Sequence, residues 1–378
     1  MNNGQFTKTI IQMQYVPRWS EHAPRYRDSA ASHSFRCAAL AVLVGLIHER
    51  VLQQPLDRLE LTAKALLHDL NETETGSIKH VTKKDARVSD HIRAFERDVN
   101  TRLVTYLSNS VRPFFRVYIE QAEDASPTGR LVDAIDSFDA MMFCHRESMH
   151  DTNPYFHRRY EQLREEMRGC PLPAIAWLAE EYDKREGVFE FCGHLLNLDN
   201  IERWNGNFNL VPDNDATHSF RVAALALFNG LLERERFGRE GLDVDRLLSK
   251  AILHDVSESL SGDVKGTFKH SQPAVKQAFE AYEHELALRI VHRLPEALRT
   301  DMEGYMVAKD GTYEGDLVDV TDKLDALIKA NLEMRNNPHY AKTYYEQLTM
   351  IQRRFEQPCV IFFLAYILHD LTYASFVR

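Results

Sequence analysis

An adjacent histidine and aspartate at the end of an apolar run, with a glutamate shortly after, occur twice in this chain. The two copies read His254-Asp255 with Glu258, and His68-Asp69 with Glu72. Imidazole and carboxylate groups this close together can bind one divalent ion at the end of a helix. The glutamate follows the histidine by four residues, which is one helical turn, and could handle a proton there. The pattern predicts two metal sites suited to hydrolysis.

A further histidine and a further aspartate from other helices would complete each site. In the second copy these are His218 and Asp322. Two imidazoles with two carboxylates favour a transition ion with open water positions, such as manganese, iron, cobalt, nickel or zinc. Other aspartates lie one helical turn from the chosen one, so the ligand could be one of these instead: Asp133, Asp139, Asp319 or Asp325.

An arginine-tryptophan pair precedes the first histidine of each copy by the same distance. Arg203-Trp204 comes fifteen residues before His218. Arginine offers a two-pronged donor for phosphate, and tryptophan offers a flat apolar wall for a base or a sugar. The pair could instead be structural, with the guanidinium stacked on the indole.

An internal repeat relates the two copies at an offset of about 185 residues. The clearest correspondences are Arg18-Trp19 with Arg203-Trp204, His33 with His218, Asp136 with Asp322, Gly76 with Gly262, and Lys79 with Lys269 after a short insertion. A polar stretch ending in Gly187 marks a plausible boundary. We therefore expect two domains, residues 1–186 and 187–378.

Helical periodicity dominates both halves, and no strongly alternating segment predicts a sheet. Residues 38–50 and 222–234 are apolar on most sides, as central helices are. Residues 73–90 and 259–274 are polar, contain glycine and are expected to be loops beside the sites. The fold class is expected to be all-α.

Composition restricts the partners of the chain. A net charge of -10 without a long Lys/Arg block argues against binding a nucleic-acid polymer. The five cysteines are an odd number without a CxxC motif, so we expect buried free thiols rather than disulfides. No apolar run looks long enough to cross a membrane and no signal peptide is evident, so a cytoplasmic location is the expectation.

The series His…His-Asp…Asp on a helical chain resembles the HD-domain metal-dependent phosphohydrolases. Arg-Trp before the first histidine, and then His-Asp-x-Ser-Glu-x-x-x-Gly-Asp, resemble the bacterial 5'-deoxynucleotidases called YfbR-like. That family releases phosphate from deoxyribonucleoside 5'-monophosphates, and the resemblance implies two tandem HD helical bundles with one divalent ion each. It implies as metal ligands His218, His254, Asp255 and Asp322, and His33, His68, Asp69 and Asp136. It implies Glu258 and Glu72 as catalytic acid/base groups. The implied substrate contacts are Arg203, Trp204, Asp263, Arg18 and Trp19, with the Arg-Trp side favouring deoxyribose.

The first half departs from the family pattern. Ser77 stands where the second half has Asp263, and Asn71 where it has Ser257. This departure leaves open a nucleotide-sensing module with one degenerate half. The resemblance to HD enzymes also leaves open a deoxynucleoside triphosphate hydrolase or a nucleotide phosphodiesterase, since these belong to the same superfamily. Single-domain relatives act as homodimers, so the two halves are expected to form an internal pseudo-dimer.

Overall fold

A computed structural model describes residues 3–150, 153–269, 271–307 and 310–372, and α-helices dominate these ranges. Within them the only β-type pairings are two isolated bridges, Pro17 with Ser29 and Glu202 with Asn214. The two bridges occupy equivalent places in the two halves. The all-α prediction is confirmed.

Within the described ranges each half has ten α-helices, and these follow one another in the same order. In the first half they are α1 Asn3–Gln12, α2 Ala30–Leu46, α3 Arg58–Leu67, α4 Glu72–Thr75, α5 His80–Lys84, α6 Ser89–Tyr106, α7 Arg112–Glu120, α8 Pro127–His150, α9 Pro154–Arg168 and α10 Pro173–Asp183. In the second half they are α11 Gly187–Asn197, α12 Asp215–Glu235, α13 Val244–Leu253, α14 Glu258–Ser261, α15 Gly266–Lys269, α16 Pro273–Val291, α17 Glu296–Met306, α18 Tyr313–Glu333, α19 His339–Arg354 and α20 Pro358–Tyr366.

The central helices α2 and α12 pack against each other and join the halves. Each begins at a side chain that accepts a hydrogen bond from the first turn, Ser29 for α2 and Asn214 for α12. Such caps satisfy backbone N–H groups that a helix start leaves unpaired. Every residue of α2 is buried, as the apolar sequence on all its sides predicts.

Helix α2 and the turn after it, Ala30–Val51, are long and apolar enough to span a membrane by length and composition. The expectation that no run is long enough is therefore wrong by that criterion. The apolar window is wholly buried inside the protein, where α2 contacts α3, α8 and α12. Core helices pass the same test, so this is weak evidence for a membrane segment.

Helices α3 and α13 carry the His-Asp pairs at their C-terminal ends. Both are capped at the start by an aspartate, Asp57 and Asp243, and both stop at the leucine before the histidine. A turn then leads into the four-residue helices α4 and α14. The prediction of loops at 73–90 and 259–274 is wrong in part, because α4, α5, α14 and α15 form there and α6 and α16 start within the ranges.

Contacts between the halves extend beyond the central pair. Helix α1 packs on α12, α11 packs on α2, and α3 packs on α13. Arg50 makes a two-pronged ion pair with Asp301 at 2.8 and 3.0 Å. Arg58 donates a hydrogen bond to the Tyr305 hydroxyl at 2.8 Å and also binds Asp245. All of these contacts join one half to the other.

Candidate functional site

The second half brings its four predicted ligands together at the junction of α12, α13 and α18. Nε2 of His218 lies 3.4 Å from Oδ2 of Asp255 and 3.4 Å from Oδ1 of Asp322. Nε2 of His254 lies 3.2 Å from the same Asp255 oxygen. Side chains separated by more than one hundred residues in the sequence thus converge on one point.

The first half repeats this arrangement on α2, α3 and α8. The Nε2 atoms of His33 and His68 face each other at 3.3 Å. Oδ1 of Asp136 lies 3.1 Å from Nε2 of His33, and Oδ2 of Asp69 lies 3.5 Å from it. Both predicted sets are therefore assembled.

These residues fit a divalent ion. Ligand atoms about 2.1 Å from one ion lie roughly 3.0–3.5 Å from each other, which is the spacing found here. The proton on Nδ1 of His254 is used in a hydrogen bond to the Ala251 carbonyl at 2.8 Å, so Nε2 can present its lone pair. Among the described residues, Nε2 of His254 has no hydrogen-bond partner although it is buried. A cation would satisfy it.

The charge at the site leads to the same conclusion. Burial by itself would lower the pKa of His218, but contacts with three carboxylates raise it well above its usual value. Those carboxylates are Asp255, Asp322 and Asp325. Each carboxylate also has a basic neighbour, which is Arg203 for Asp255, Lys323 for Asp322 and Arg221 for Asp325. A divalent ion would take the place of the proton that these carboxylates favour on Nε2 of His218.

The aspartates one helical turn further along orient the first histidine of each site. Oδ2 of Asp325 accepts a hydrogen bond from Nδ1 of His218 at 2.8 Å, and Asp139 does the same for His33 at 2.7 Å. A carboxylate behind a histidine fixes the ring and its tautomer. The structure thus separates the orienting Asp139 and Asp325 from Asp136 and Asp322, which face Nε2.

Two arginines that the sequence analysis did not single out hold these orienting aspartates. Nε of Arg36 donates to Asp139 at 2.6 Å, and Nε of Arg221 donates to Asp325 at 2.7 Å. Each arginine follows its histidine by three residues and so lies on the same face of the helix. That spacing, repeated in both halves, is the signal that could have identified them.

Glu258 lies buried beside the second-half ligands. Its Oε1 accepts a hydrogen bond from Lys269 at 3.1 Å, and Lys269 also pairs with Glu283 at 2.6 Å. Oε2 of Glu258 is buried and without a hydrogen-bond partner in the described part of the chain. Burial and the neighbouring Asp255 raise the pKa of Glu258 well above its usual range. Such a carboxyl can carry a proton near neutral pH.

The first-half counterpart corrects the predicted alignment of the lysines. Lys83, and not Lys79, occupies the place of Lys269, because it pairs with Glu96 at 3.2 Å and lies close to Glu72. Lys79 instead pairs with Glu21. The offset between the halves therefore stays the same from His68 to Lys83, and no insertion is needed before Lys269. Burial, followed by Asp69, raises the pKa of Glu72 to about 8.

The arginine of each Arg-Trp pair reaches the ligands. Nη1 of Arg203 lies 3.5 Å from Oδ2 of Asp255, and Nη1 of Arg18 lies 3.4 Å from Oδ2 of Asp69. The tryptophans contact aromatic side chains, since Trp19 stacks on Phe143 with ring centroids 5.4 Å apart. Trp204 lies near Tyr340, with ring centroids 5.6 Å apart. This aromatic packing is compatible with a structural role for the tryptophans as well as with a wall for a base or a sugar.

Both tryptophans adopt the left-handed backbone conformation, with φ of 59° at Trp19 and 62° at Trp204. This conformation costs a residue with a side chain about 1–2 kcal/mol. The same strain at equivalent positions of both halves indicates that the direction of these side chains matters. Gly76 and Gly262, which end α4 and α14, have positive φ as well, and there glycine avoids that cost.

Three charged side chains at the second site have uncharged counterparts in the first half. Asp215 is fully buried and accepts a hydrogen bond from Arg203 at 3.1 Å, whereas Ala30 holds the equivalent position. Burial, with smaller contributions from Asp255 and Asp263, raises the pKa of Asp215 to about 7. Lys323 binds Asp322 at 2.7 Å, where the first half has Ser137. Asp263 itself is replaced by Ser77 in the first half.

Cys37 lies beside the first site, with its sulfur 3.6 Å from Nε2 of His33. Burial raises the pKa of this thiol to about 12. All five cysteines are free, and four of them are buried. The expectation of buried thiols is confirmed except at the half-buried Cys170.

Comparison with known proteins matches both halves of the chain separately. A family model described as 5'-deoxynucleotidase YfbR-like matches residues 5–185 and again residues 190–371. A 5'-deoxynucleotidase of Pasteurella multocida is 26% identical over 178 residues, which cover 47% of this chain and 91% of that protein. A 5'-deoxynucleotidase of Citrobacter koseri is 30% identical over 172 residues, covering 44% of this chain and 85% of that protein.

Solved structures are also similar to this chain, and we describe one of them. It is the crystal structure of an HD-domain phosphohydrolase from Listeria innocua, 27% identical in sequence. The similarity covers 49% of this chain and 89% of that chain, with a TM-score of 0.45.

Proposed function

The chain belongs to the YfbR-like 5'-deoxynucleotidase family, and from that premise we propose that it removes the 5'-phosphate from deoxyribonucleoside 5'-monophosphates. The family match repeats over residues 5–185 and 190–371, so the resemblance inferred from the sequence and the tandem HD fold are confirmed. The observation that supports this chemistry most directly is the buried Glu258, close to two imidazoles and two carboxylates that converge at 3.2–3.4 Å.

Each half holds one divalent ion in this proposal. The ligands are those predicted, His218, His254, Asp255 and Asp322, and His33, His68, Asp69 and Asp136. When bound, the ion supplies Lewis-acid polarisation of a phosphoryl oxygen and an acidified water. Manganese, iron, cobalt, nickel and zinc all suit two imidazoles and two carboxylates.

The remaining side chains bind the substrate and move protons. Arg203 binds the phosphate with its planar fork, and Trp204 packs against the sugar or the base. Glu258 receives the proton of the attacking water and returns one to the leaving 5'-oxygen, while Lys269 holds its other oxygen in place. In the first half these roles belong to Arg18, Trp19 and Glu72. There Ser77 replaces Asp263, so the carboxylate is missing.

In this proposal the two halves of the chain pack together as an internal pseudo-dimer. We place the domain boundary between residues 186 and 187, in the short connection from α10 to α11. The packing of α2 on α12, together with the ion pairs of Arg50 and Arg58 across the halves, supports this arrangement. The crossed substitutions of Asp199 and Gln14 described below test it.

A panel of deoxyribonucleoside and ribonucleoside 5'-monophosphates tests the proposed activity. We expect the chelated protein to be inactive and cobalt or manganese to restore phosphate release, with deoxy substrates favoured by at least about tenfold. Deoxynucleoside triphosphates are assayed in parallel. Release of tripolyphosphate from them would identify the alternative function, a triphosphohydrolase. Metal-loaded protein that releases nothing from any monophosphate would contradict the nucleotidase function.

Asp215 is expected to weaken substrate binding in the second half because it occupies part of the Arg203 fork. In an Asp69→Ala background, Asp215→Ala should lower KM by about fivefold, corresponding to ~1 kcal/mol, with kcat little changed. Arg203 keeps its contacts with Asp213 and Asp255, so it remains paired. The reciprocal Ala30→Asp, in an Asp255→Ala background, should weaken deoxynucleotide binding in calorimetry. A higher KM for Asp215→Ala would show that Asp215 helps to bind the substrate.

A further inference from the structure

Two short 3₁₀ turns extend from one half of the molecule to the metal centre of the other. The first is Met13–Tyr15, which carries Gln14, and the second is Leu198–Asn200, which carries Asp199. They occupy equivalent places in the repeat. Each lies just before the Arg-Trp pair of its own half.

Asp199 binds the arginine that supports the first metal centre. Its Oδ2 accepts a hydrogen bond from Nη1 of Arg36 at 2.8 Å. The same guanidinium donates to Asp139, which orients His33. The ion pair is almost fully buried, with side-chain exposures of 0% and 3%, so water screens it little. A second-half carboxylate thus completes the support of a first-half ligand.

Gln14 makes the equivalent contact with the arginine that supports the second metal centre. Its Oε1 accepts a hydrogen bond from Nη1 of Arg221 at 2.6 Å. Arg221 donates to Asp325, which orients His218. The two connections have the same geometry, but one is an ion pair and the other is a hydrogen bond to a neutral amide. A charged acceptor binds more strongly.

Each turn is also tied to the substrate side of its own half. Only three residues separate Asp199 from Arg203, and Gln14 precedes Arg18 by the same interval. The backbone N–H of Arg203 donates to the Asp213 carbonyl at 3.1 Å, and that of Asp215 donates to the Ile201 carbonyl. A short segment that is hydrogen-bonded to residues 213–215 thus connects Asp199 to Arg203.

We propose that Asp199 and Gln14 are positioning residues that couple the two centres in a crossed manner. Each supports a metal-binding histidine of the other half and the Arg-Trp pair of its own half. Metal at the first centre fixes His33, Asp139 and Arg36, and so holds Asp199 and the segment leading to Arg203. The effect on substrate rests on the proposed function, whereas the effect on metal does not.

Coupling between two sites must be reciprocal in binding free energy. Metal at the first centre should therefore raise nucleotide affinity at the second, and nucleotide at the second should raise metal affinity at the first. The same holds through Gln14 in the opposite direction. Because Gln14 is neutral, we expect the coupling through it to be the smaller of the two.

The test uses two backgrounds, each with one functional centre. Asp69→Ala leaves the second centre, and Asp255→Ala leaves the first. Cobalt affinity is measured by calorimetry on the full chain, and substrate kinetics are measured on whichever centre remains. Asp199→Asn keeps the shape of the side chain and leaves Arg36 paired with Asp28 and Asp139, so the fold should be retained.

Asp199→Asn is expected to weaken cobalt binding at the first centre by about tenfold, as loss of an outer support does for metal ligands. It should also raise KM at the second centre, with kcat nearly unchanged and cobalt affinity there unchanged. Because Asp69→Ala has already removed the metal that holds Asp199, this rise should be smaller than the rise that Asp69→Ala itself causes. Gln14→Ala should show the converse pattern, with smaller changes. In the intact chain, cobalt at the first centre should tighten deoxynucleotide binding at the second, and Asp199→Asn should abolish that effect.

A merely structural role would lower the melting temperature without this crossed pattern. Unchanged cobalt affinity at the first centre in Asp199→Asn, or equal losses at both centres, would overturn the proposal. If Asp199→Asn does not fold, the Gln14→Ala pair of measurements decides alone. If the protein proves inactive on nucleotides while the cobalt affinities follow the crossed pattern, the proposed substrate is wrong but the metal part of the coupling stands.

Discussion

Glu258→Gln is expected to lower kcat of the second centre by about 10²–10⁴-fold while leaving its metal bound. Glutamine keeps the size of the side chain and can still contact Lys269, but it cannot accept and return a proton. Glu258 is well suited to that task because it is buried next to Asp255 and its pKa is raised well above the usual range. The measurement is steady-state phosphate release in an Asp69→Ala background, so that only the second half contributes.

Two controls sharpen this experiment. Glu283→Gln removes the other carboxylate bound to Lys269, at 2.6 Å, and should change kcat much less because Glu283 lies outside the ligand set. Calorimetry should show cobalt affinity within about threefold of the parent, since Glu258 is not a ligand in this mechanism. Retention of full kcat in Glu258→Gln would show that Glu258 does not transfer the proton. Loss of cobalt binding would make Glu258 a ligand instead.

The internal repeat explains how much of the site could be predicted from the sequence. A single His-Asp pair after an apolar run has many structural explanations, but His68-Asp69 and His254-Asp255 carry matching companions. The two copies act as an alignment of the chain with itself. The structure brings both predicted ligand sets together because α2, α3 and α8, and their second-half counterparts, follow one another in the same order.

The orienting aspartates could not be separated from the ligands on the same basis. Asp136 and Asp139 differ by three residues, so both lie on the same face of α8, and the repeat preserves both. The roles of the two aspartates are distinguished by the position of His33 along the axis of the neighbouring helix α2. Nδ1 of His33 meets Asp139 and Nε2 meets Asp136. This axial position depends on how α2 packs against α8, which helical periodicity does not specify.

The lysines and the short helices reveal a second limit. Identical residue pairs at Lys79-His80 and Lys269-His270 favoured an alignment with an insertion. The contact of Lys83 with Glu96 corresponds instead to that of Lys269 with Glu283. Polar segments with glycine predicted loops, but one-turn helices form there, because tertiary contacts stabilise helices too short to persist alone. Contacts between distant residues decided both cases.

The contacts that connect the two halves could be predicted least of all from the sequence. Gln14 and Asp199 differ in type, so the repeat gives no reason to pair them. Their common role becomes visible only where α1 packs on α12 and α11 packs on α2. Arg36 and Arg221 lie at equivalent positions and bind aspartates of their own halves, but each also binds one residue of the opposite half. A contact between two domains leaves no periodic signal within either one.

Asp255→Ala is expected to abolish turnover at the second centre, by roughly 10³-fold or more, because it removes a ligand and a principal partner of Arg203. Asp255 touches Nε2 of both His218 and His254, and Arg203 as well. Loss of cobalt binding at one of two centres should accompany the loss of activity. Asp322→Asn in the same assay is the graded comparison, since an amide oxygen can still coordinate weakly.

The matching Asp69→Ala variant decides what the first half contributes. If both halves turn over, each single variant keeps part of the phosphate release and the double variant keeps none. If only the second half turns over, Asp255→Ala alone removes activity, while Asp69→Ala changes mainly the KM of the remaining centre through Asp199. Ser77 in place of Asp263 favours this second outcome, because the first half lacks that carboxylate. Full turnover in the double variant would show that the hydrolysis does not depend on these metal centres at all.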